Sequence, residues 1–252
     1  MTIHYRSQSP QILADFLSYH ETIKAHSQRT VDEYYLDLRN FFRYIKQLRD
    51  PSLQGLPFDQ IDIMDVDLAL IKTITLSDIY GYMTYLSRDR VQHQNCEKSN
   101  IGLNAASRAR KLATIRSFFN YLCNKVHLLE ENPCKDIDSP KQMKSLPRYL
   151  TLDDSLSLLN AVDGKHKERD FCIITLFLNC GLRISELIGL NISDIKDDAL
   201  RVLGKGNKVR VVYLNDACKD ALNRYLEVRR PISGKDRDAL FPSERNQRSS
   251  RA

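Results

Sequence analysis

Cys180-Gly-Leu-Arg183-Ile-Ser-Glu186-Leu-Ile-Gly-Leu190, followed by Val202-Leu-Gly-Lys205-Gly-Asn-Lys208-Val-Arg210-Val-Val-Tyr-Leu214, is the part of this chain on which its reading turns. Gly181 stands just past the apolar run 171–178, where a left-handed glycine ends a helix. Arg183 then falls at the mouth of a short helix expected over 184–190. Free N–H groups at a helix start attract phosphate, and a guanidinium placed there grips two phosphate oxygens at once. Glu186, one turn on, is positioned to orient that guanidinium. Two β-rich runs, 199–203 and 209–214, flank Gly204-Lys-Gly-Asn-Lys208 and read as a hairpin. A lysine between two glycines at a hairpin tip is able to reach into a site and give a proton or charge to a leaving oxygen. Each feature alone also has a plain reading: Arg183 and Glu186 as an ordinary i, i+3 surface pair, and Lys205 as a solvated turn lysine. It is the combination that points to phosphate chemistry.

Working outward, helices are expected over 151–161, capped by Thr151 with Asp153 and Asp154, over 167–179, and over 216–229. The 167–179 helix is apolar nearly all round, which predicts a central place in the core. Upstream, Asp138-Ser-Pro-Lys-Gln-Met-Lys-Ser-Leu-Pro147-Arg148 has two prolines and no periodicity, as an extended linker does. The first half is helical. One helix covers 11–24. A second starts after Ser27, with Thr30 and Glu33 resembling a capping box, and buries Val31, Tyr34, Tyr35, Leu38, Phe41, Phe42 and Ile45. Lys24, Arg29, Arg39, Arg43 and Lys46 fall on its other sides. The rhythm is lost over 50–75, where Asp59, Asp62, Asp65 and Asp67 lack the spacing of a calcium loop, so a solvated connector is expected. Helices follow over 77–86 and 103–126. The last carries the stripe Leu112, Ile115, Phe118, Phe119, Leu122 and Val126, with Arg108, Arg110, Lys111 and Arg116 elsewhere on its surface.

At 252 residues, 42% hydrophobic and 28% charged, the composition is that of a globular protein and excludes collagen-like and disordered classes. The net charge of +6 suits a polyanionic partner without requiring one. No two of the six cysteines form a C-x-x-C pair, so buried free thiols and no metal are expected. There is no signal-peptide pattern and no apolar run long enough to span a bilayer. The expectation is a soluble, cytoplasmic protein with no membrane partner.

The segment Gly181-Leu-Arg-Ile-Ser-Glu-Leu187, with Val202-Leu-Gly-Lys-Gly-Asn-Lys208, Arg210 and Val211-Val-Tyr-Leu214, resembles the tyrosine recombinase (phage integrase) family, most closely its Xer-type members. Ala109-Arg-Lys-Leu-Ala-Thr-Ile-Arg-Ser-Phe-Phe-Asn-Tyr-Leu122, Glu131-Asn-Pro133 and the Ser139-Pro-Lys linker resemble the same family's core-binding domain. The resemblance implies a mainly α protein: a helical (SAM-like) core-binding, DNA-binding domain over 1–138, a linker over 139–148, and a partial α+β catalytic domain with a small β-hairpin sheet over 149–252. It implies site-specific DNA recombination and integration, by strand cleavage and rejoining through a 3′-phosphotyrosyl link. Arg183 would stabilise the charge on phosphorus and Lys205 would be the general acid, with Glu186 behind the arginine. No cofactor is implied. The partners would be double-stranded DNA, clamped between two domains, and further copies of the chain in a tetrameric synapse. Arg108, Lys111, Arg116, Lys141 and Lys144 are the candidate DNA contacts, joined by Lys208 and Arg210 on the hairpin. The short stretch before the first helix leaves no room for an arm-binding domain and implies a simple Xer-like or transposon-type enzyme.

The family also needs a His-x-x-Arg, a further His or Trp, and the nucleophilic Tyr after the lysine. No histidine follows Lys205, and the His-x-x-Arg from His26 to Arg29 lies in the wrong domain. Tyr225, the last tyrosine, falls on an apolar helix face with Leu222 and Leu226 and reads as core. The expectation is therefore a C-terminally truncated, inactive chain that exposes apolar surface at 171–178. Two other readings stay open: a non-catalytic DNA-binding protein that occupies recombination sites, and a helical regulator with no DNA role.

Overall fold

The computed structural model describes residues 5–90, 101–141, 146 and 148–250, and of Arg6 and Lys205 the backbone alone. The chain divides into two compact units, Met1–Ser145 and Leu146–Ala252, each with its own hydrophobic core.

In the described residues of the first unit the regular structure is helical. Helix α1, Gln11–Ser18, runs into a single π-type turn, Tyr19–Ile23. Helices α2, Gln28–Arg49, α3, Leu68–Lys72, α4, Leu76–Arg88, and α5, Ala105–Asn124, follow. The i, i+3, i+4 spacing does what it dictates. Val31, Tyr35, Leu38, Phe41, Phe42 and Ile45 of α2 are buried, as are Leu112, Ile115, Phe118, Phe119 and Leu122 of α5. Their rings meet edge to face, Phe42 against Phe118 at 5.6 Å and Phe41 against Tyr82 of α4 at 5.2 Å. Val126 drops out of the stripe because α5 ends at Asn124, and it is exposed.

Two stretches of the first unit depart from the expectation. The cap of α2 is Ser27, whose hydroxyl accepts the Thr30 amide at 3.3 Å, so no Thr30–Glu33 box forms. The 50–75 segment is not a solvated connector, since Ile61, Ile63, Val66, Ile71 and Ile74 are buried in it. Basic residues of α2 hold it down. Arg43 donates to the Ile61 carbonyl at 2.9 Å, Lys46 reaches the Asp65 carboxylate at 2.6 Å, and Arg49 donates to the Thr73 carbonyl at 3.1 Å. The periodicity fails because α3 is only five residues long and the rest is anchored through backbone carbonyls and single side chains.

The second unit contains α6, Leu152–Asn160, α7, Lys167–Cys180, α8, Ile184–Gly189, and α9, Asp216–Val228. Between α8 and α9 lies an antiparallel sheet, ordered β1, Ile195–Lys196, β2, Ala199–Leu203, and β3, Val209–Tyr213. Strand β1 has two residues, too few to show an alternating pattern. Leu200 and Val202 of the sheet join Cys172 and Leu176 of α7 and Leu222 and Tyr225 of α9 in the core. Helix α7 is less enclosed than its all-round apolar sequence predicts. Cys172, Thr175 and Leu176 are buried, whereas Phe171, Ile173 and Phe177 are half-buried and Leu178 is exposed. The polar stretch after Phe241 folds back, with Arg248 donating to the carbonyls of Ile188 and Leu190 at 3.1 and 2.9 Å. Cys123, Cys134, Cys172, Cys180 and Cys218 are free thiols, and Cys96 lies outside the described residues.

Candidate active site

Gly181 ends α7 in the left-handed region, φ 57° and ψ 36°, a conformation that suits glycine. The chain turns there, buries Leu182, and enters α8 with Arg183 as the residue before its first turn. That turn separates the two charged side chains: Arg183 is 68% exposed, while Glu186 is 2% exposed.

The Glu186 carboxylate accepts four hydrogen bonds. Oε1 takes Arg183 Nη1 at 2.8 Å and Arg210 Nη1 at 2.7 Å. Oε2 takes the Arg183 backbone N–H at 2.8 Å and Arg210 Nη2 at 2.9 Å. The Arg210 bonds above all, with those from Arg183, hold its carboxyl down at about 2 against the opposing effect of burial. Glu186 is therefore ionised at neutral pH with its acceptor sites taken, so it acts as an anchor and not as a general base.

Arg210 reaches Glu186 because of strand register. It pairs with buried Val202 across β2 and β3, on the inner face of the sheet. Val209, Val211 and Tyr213 face outward and are exposed, Tyr213 by 81%. This reverses the arrangement that hydropathy alone would select. Arg210 keeps 40% of its side chain exposed while both of its Nη groups are committed to Glu186.

The hairpin closes against the same carboxylate. The Gly204 N–H donates to the Lys208 carbonyl at 2.8 Å, and Gly206 turns the chain with φ 72°. A Cβ on Gly204 would stand 3.5 Å from Glu186 Oε1, so the backbone entering Lys205 lies beside the group that holds Arg183. The side chain of Lys205 lies outside the described residues.

Lys208 and Lys141 are exposed. Arg108 is half-buried and donates to Ser87 Oγ at 2.9 Å, and Arg116 donates to Ser139 Oγ at 2.8 Å. Lys144 lies outside the described residues. Lys111 is corrected: it is buried against Asp37 and has no surface to offer a phosphate. Nothing in its sequence context marks it, because it shares its helix with the exposed cations and only the partner on α2 draws it inward. Tyr225 is buried, its hydroxyl donates to the Leu240 carbonyl at 2.8 Å, and burial pushes it up to about 12. Among the described residues no group of three His, Cys, Asp or Glu is placed to hold a metal ion. No helix among them is long and apolar enough to cross a membrane.

Residues 148–252 match the phage integrase family. The chain is 48% identical over 241 residues to the tyrosine recombinase XerC of Caldanaerobacter subterraneus subsp. tengcongensis, covering 96% of this chain and 65% of that protein. Residues 148–252 thus carry the phage integrase family's domain, and nearly the whole chain is similar to a tyrosine recombinase. A second family member, the tyrosine recombinase XerD of Proteus mirabilis, is 40% identical over 204 residues, covering 79% of this chain and 64% of its own length. The chain thus spans under two thirds of these recombinases. Among solved integrases, the fold is similar to a lambda integrase (75-356) dimer bound to a COC' core site, with a TM-score of 0.59 at 20% identity over 94% of this chain and 76% of that one. It is also similar to the Tn1549 transposon integrase (aa 82-397) in complex with circular intermediate DNA, with a TM-score of 0.55 at 16% identity over 84% of this chain and 73% of that one. The segment that matches the family holds Arg183, Glu186 and Arg210 together, with the Gly204 backbone beside them.

Proposed function

We propose that this chain supplies part of the active site of a site-specific DNA recombinase acting on double-stranded DNA. Arg183 stabilises the negative charge that builds on a phosphodiester as it is attacked. Lys205 gives a proton to the leaving 5′ oxygen. Glu186 fixes the arginine. The observation that carries the reading is the buried Glu186 carboxylate, which holds an exposed guanidinium on one side and closes against the base of the lysine hairpin on the other. A guanidinium anchored at one nitrogen and open to solvent is pre-organised for an oxyanion and needs little rearrangement to meet one.

The tyrosine that attacks the phosphodiester and forms the 3′-phosphotyrosyl link is not among these 252 residues. Tyr225 is enclosed and bonded to a backbone carbonyl. The helical residues 1–138 bind DNA, 139–148 link them to the partial catalytic domain at 149–252, and Arg108, Arg116, Lys141, Lys144 and Lys208 contact the phosphate backbone. Full-length recombinase assembles as a homotetramer on its DNA, in the cytoplasm.

The test is fluorescence anisotropy with a labelled duplex over a salt series, together with a nicked suicide duplex that traps covalent intermediates. Binding weakens as salt rises, and Arg183→Ala lowers the slope of log affinity against log salt by about one, the effect of one lost phosphate contact. No covalent adduct forms with this chain alone. Salt-independent binding, or none, removes DNA from the reading, and a covalent adduct overturns the placing of the nucleophile.

A further inference from the structure

We propose that Arg210 is a positioning residue: it pins Glu186 so that the Arg183 turn and the Lys205 hairpin keep one fixed relation, and it does not itself contact DNA. The inference rests on the reading of Arg183 as the phosphate ligand, and it assigns a role to a residue of the hairpin that charge alone would place on the DNA.

Arg210 sits on the inner face of β3 opposite Val202, in a row with Val212 and Leu200. A guanidinium in such a row needs an acceptor, and Glu186 provides both of its oxygens. The pair is a fork on a fork, with Nη1 on Oε1 at 2.7 Å and Nη2 on Oε2 at 2.9 Å. Such a pair sets the plane of the carboxylate as well as its position, which a single lysine ammonium does not do. Each carboxylate oxygen is shared between the two arginines, since Arg183 bonds Oε1 through Nη1 and Oε2 through its backbone N–H. Without Arg210 only the two bonds from Arg183 remain. The carboxylate is then free to rotate toward water, and Arg183 loses a fixed acceptor for both its amide and its guanidinium. Gly204 supplies the third link, because its backbone lies close enough to Glu186 that even a methyl group would touch the carboxylate. The hairpin, α8 and the turn after Gly181 therefore converge on one anion. An arginine meant for DNA would present its Nη groups outward, and here both are turned onto the carboxylate.

The test is amide hydrogen exchange on the isolated 252-residue chain, without DNA, comparing wild type, Arg210→Lys and Arg210→Ala. The Arg183 amide is bonded to Glu186 Oε2, so it reports directly on whether the carboxylate is held. The expected result is that Arg210→Ala speeds exchange at Arg183 by tenfold or more while the α9 amides from Cys218 to Tyr225 keep their rates. Arg210→Lys, which retains the charge and loses the fork, falls between the two. In a parallel pH titration, the shift of the Arg183 amide resonance that reports ionisation of Glu186 moves to higher pH in Arg210→Ala. Arg210→Gln keeps the aliphatic stem and carries the same comparison should Arg210→Ala not fold. Unchanged exchange at Arg183, or α9 amides accelerated to the same degree, overturns the proposal, the second outcome marking a merely structural role. Because no DNA is present, this result and the DNA-binding result stand or fall separately.

Discussion

The Asp37 carboxylate on α2 and the Lys111 ammonium on α5 meet at 2.6 Å with their side chains 1% and 8% exposed. Arg110 adds a two-pronged contact to the same carboxylate at 2.7 and 3.1 Å, and Thr114 Oγ1 donates to it at 3.0 Å. Burial pulls the lysine down from its ordinary range and Asp37 opposes that pull. Removing one partner leaves the other charged and dry. Asp37→Ala is expected to destabilise the first unit by about 3–5 kcal/mol, whereas the double change Asp37→Leu with Lys111→Met costs far less, because no orphan charge remains. Urea unfolding midpoints of the three proteins decide this, and equal losses for the single and double variants contradict it.

His20 packs edge-on to Phe16 at 4.5 Å, with its Nδ1 3.3 Å from that of His26. Burial, then the neighbouring His26 and Lys24, push it down to about 4. The unfolded chain takes up a proton near the ordinary histidine value of about 6.5, which the folded chain refuses until about 4. Across that window the unfolded state binds more protons, so stability falls as pH is lowered and rises with pH. Thermal midpoints at pH 7 and pH 5 are expected to differ for wild type and to converge for His20→Phe. A wild-type midpoint independent of pH over this range refutes the assignment.

Gly102 has φ 81°, and a Cβ there would lie 2.0 Å from the Ser87 carbonyl oxygen. Backbone cannot yield as a side-chain tip does. Gly102→Ala is expected to cost about 3 kcal/mol or more, from overpacking and left-handed strain together. Gly55, with nothing within 4 Å of a Cβ, is the control, and Gly55→Ala is expected within about 1 kcal/mol of wild type. Circular dichroism melts of the two variants separate these outcomes.

Tyr225→Phe removes the hydroxyl that donates to the Leu240 carbonyl and leaves the stacked contact with Phe241 at 5.2 Å. A loss of about 1 kcal/mol is expected, with no change in DNA affinity. Anisotropy on the same duplex checks it, and a large loss of binding at unchanged stability would give this tyrosine a role at the site.

The long amphipathic helices α2 and α5 were legible because a period of 3.6 survives over many turns, and the hairpin was legible from its glycines between two β-rich runs. The 50–75 segment was not, because its isoleucines follow no period and its anchors are cations on α2 reaching its carbonyls and Asp65. The end of α7 at Gly181 could be placed from sequence, but not which face of α7 stays exposed, since its run 171–178 is apolar nearly all round.

The order of residues alone yielded the helical class of the first unit, the helix–turn that presents Arg183, and the resemblance of both to tyrosine recombinases. These depend on local spacing, and local spacing is written in the chain. Tertiary structure alone decided which cations are committed to a buried carboxylate. Lys111 and Arg210 look in sequence like their neighbours, yet each is tied to one carboxylate far off in the chain, the buried Lys111 to Asp37 and Arg210, which stays partly exposed, to Glu186. An ion pair between distant elements has no periodic signature, and the low polarizability of the surrounding core is what makes that single partner decisive.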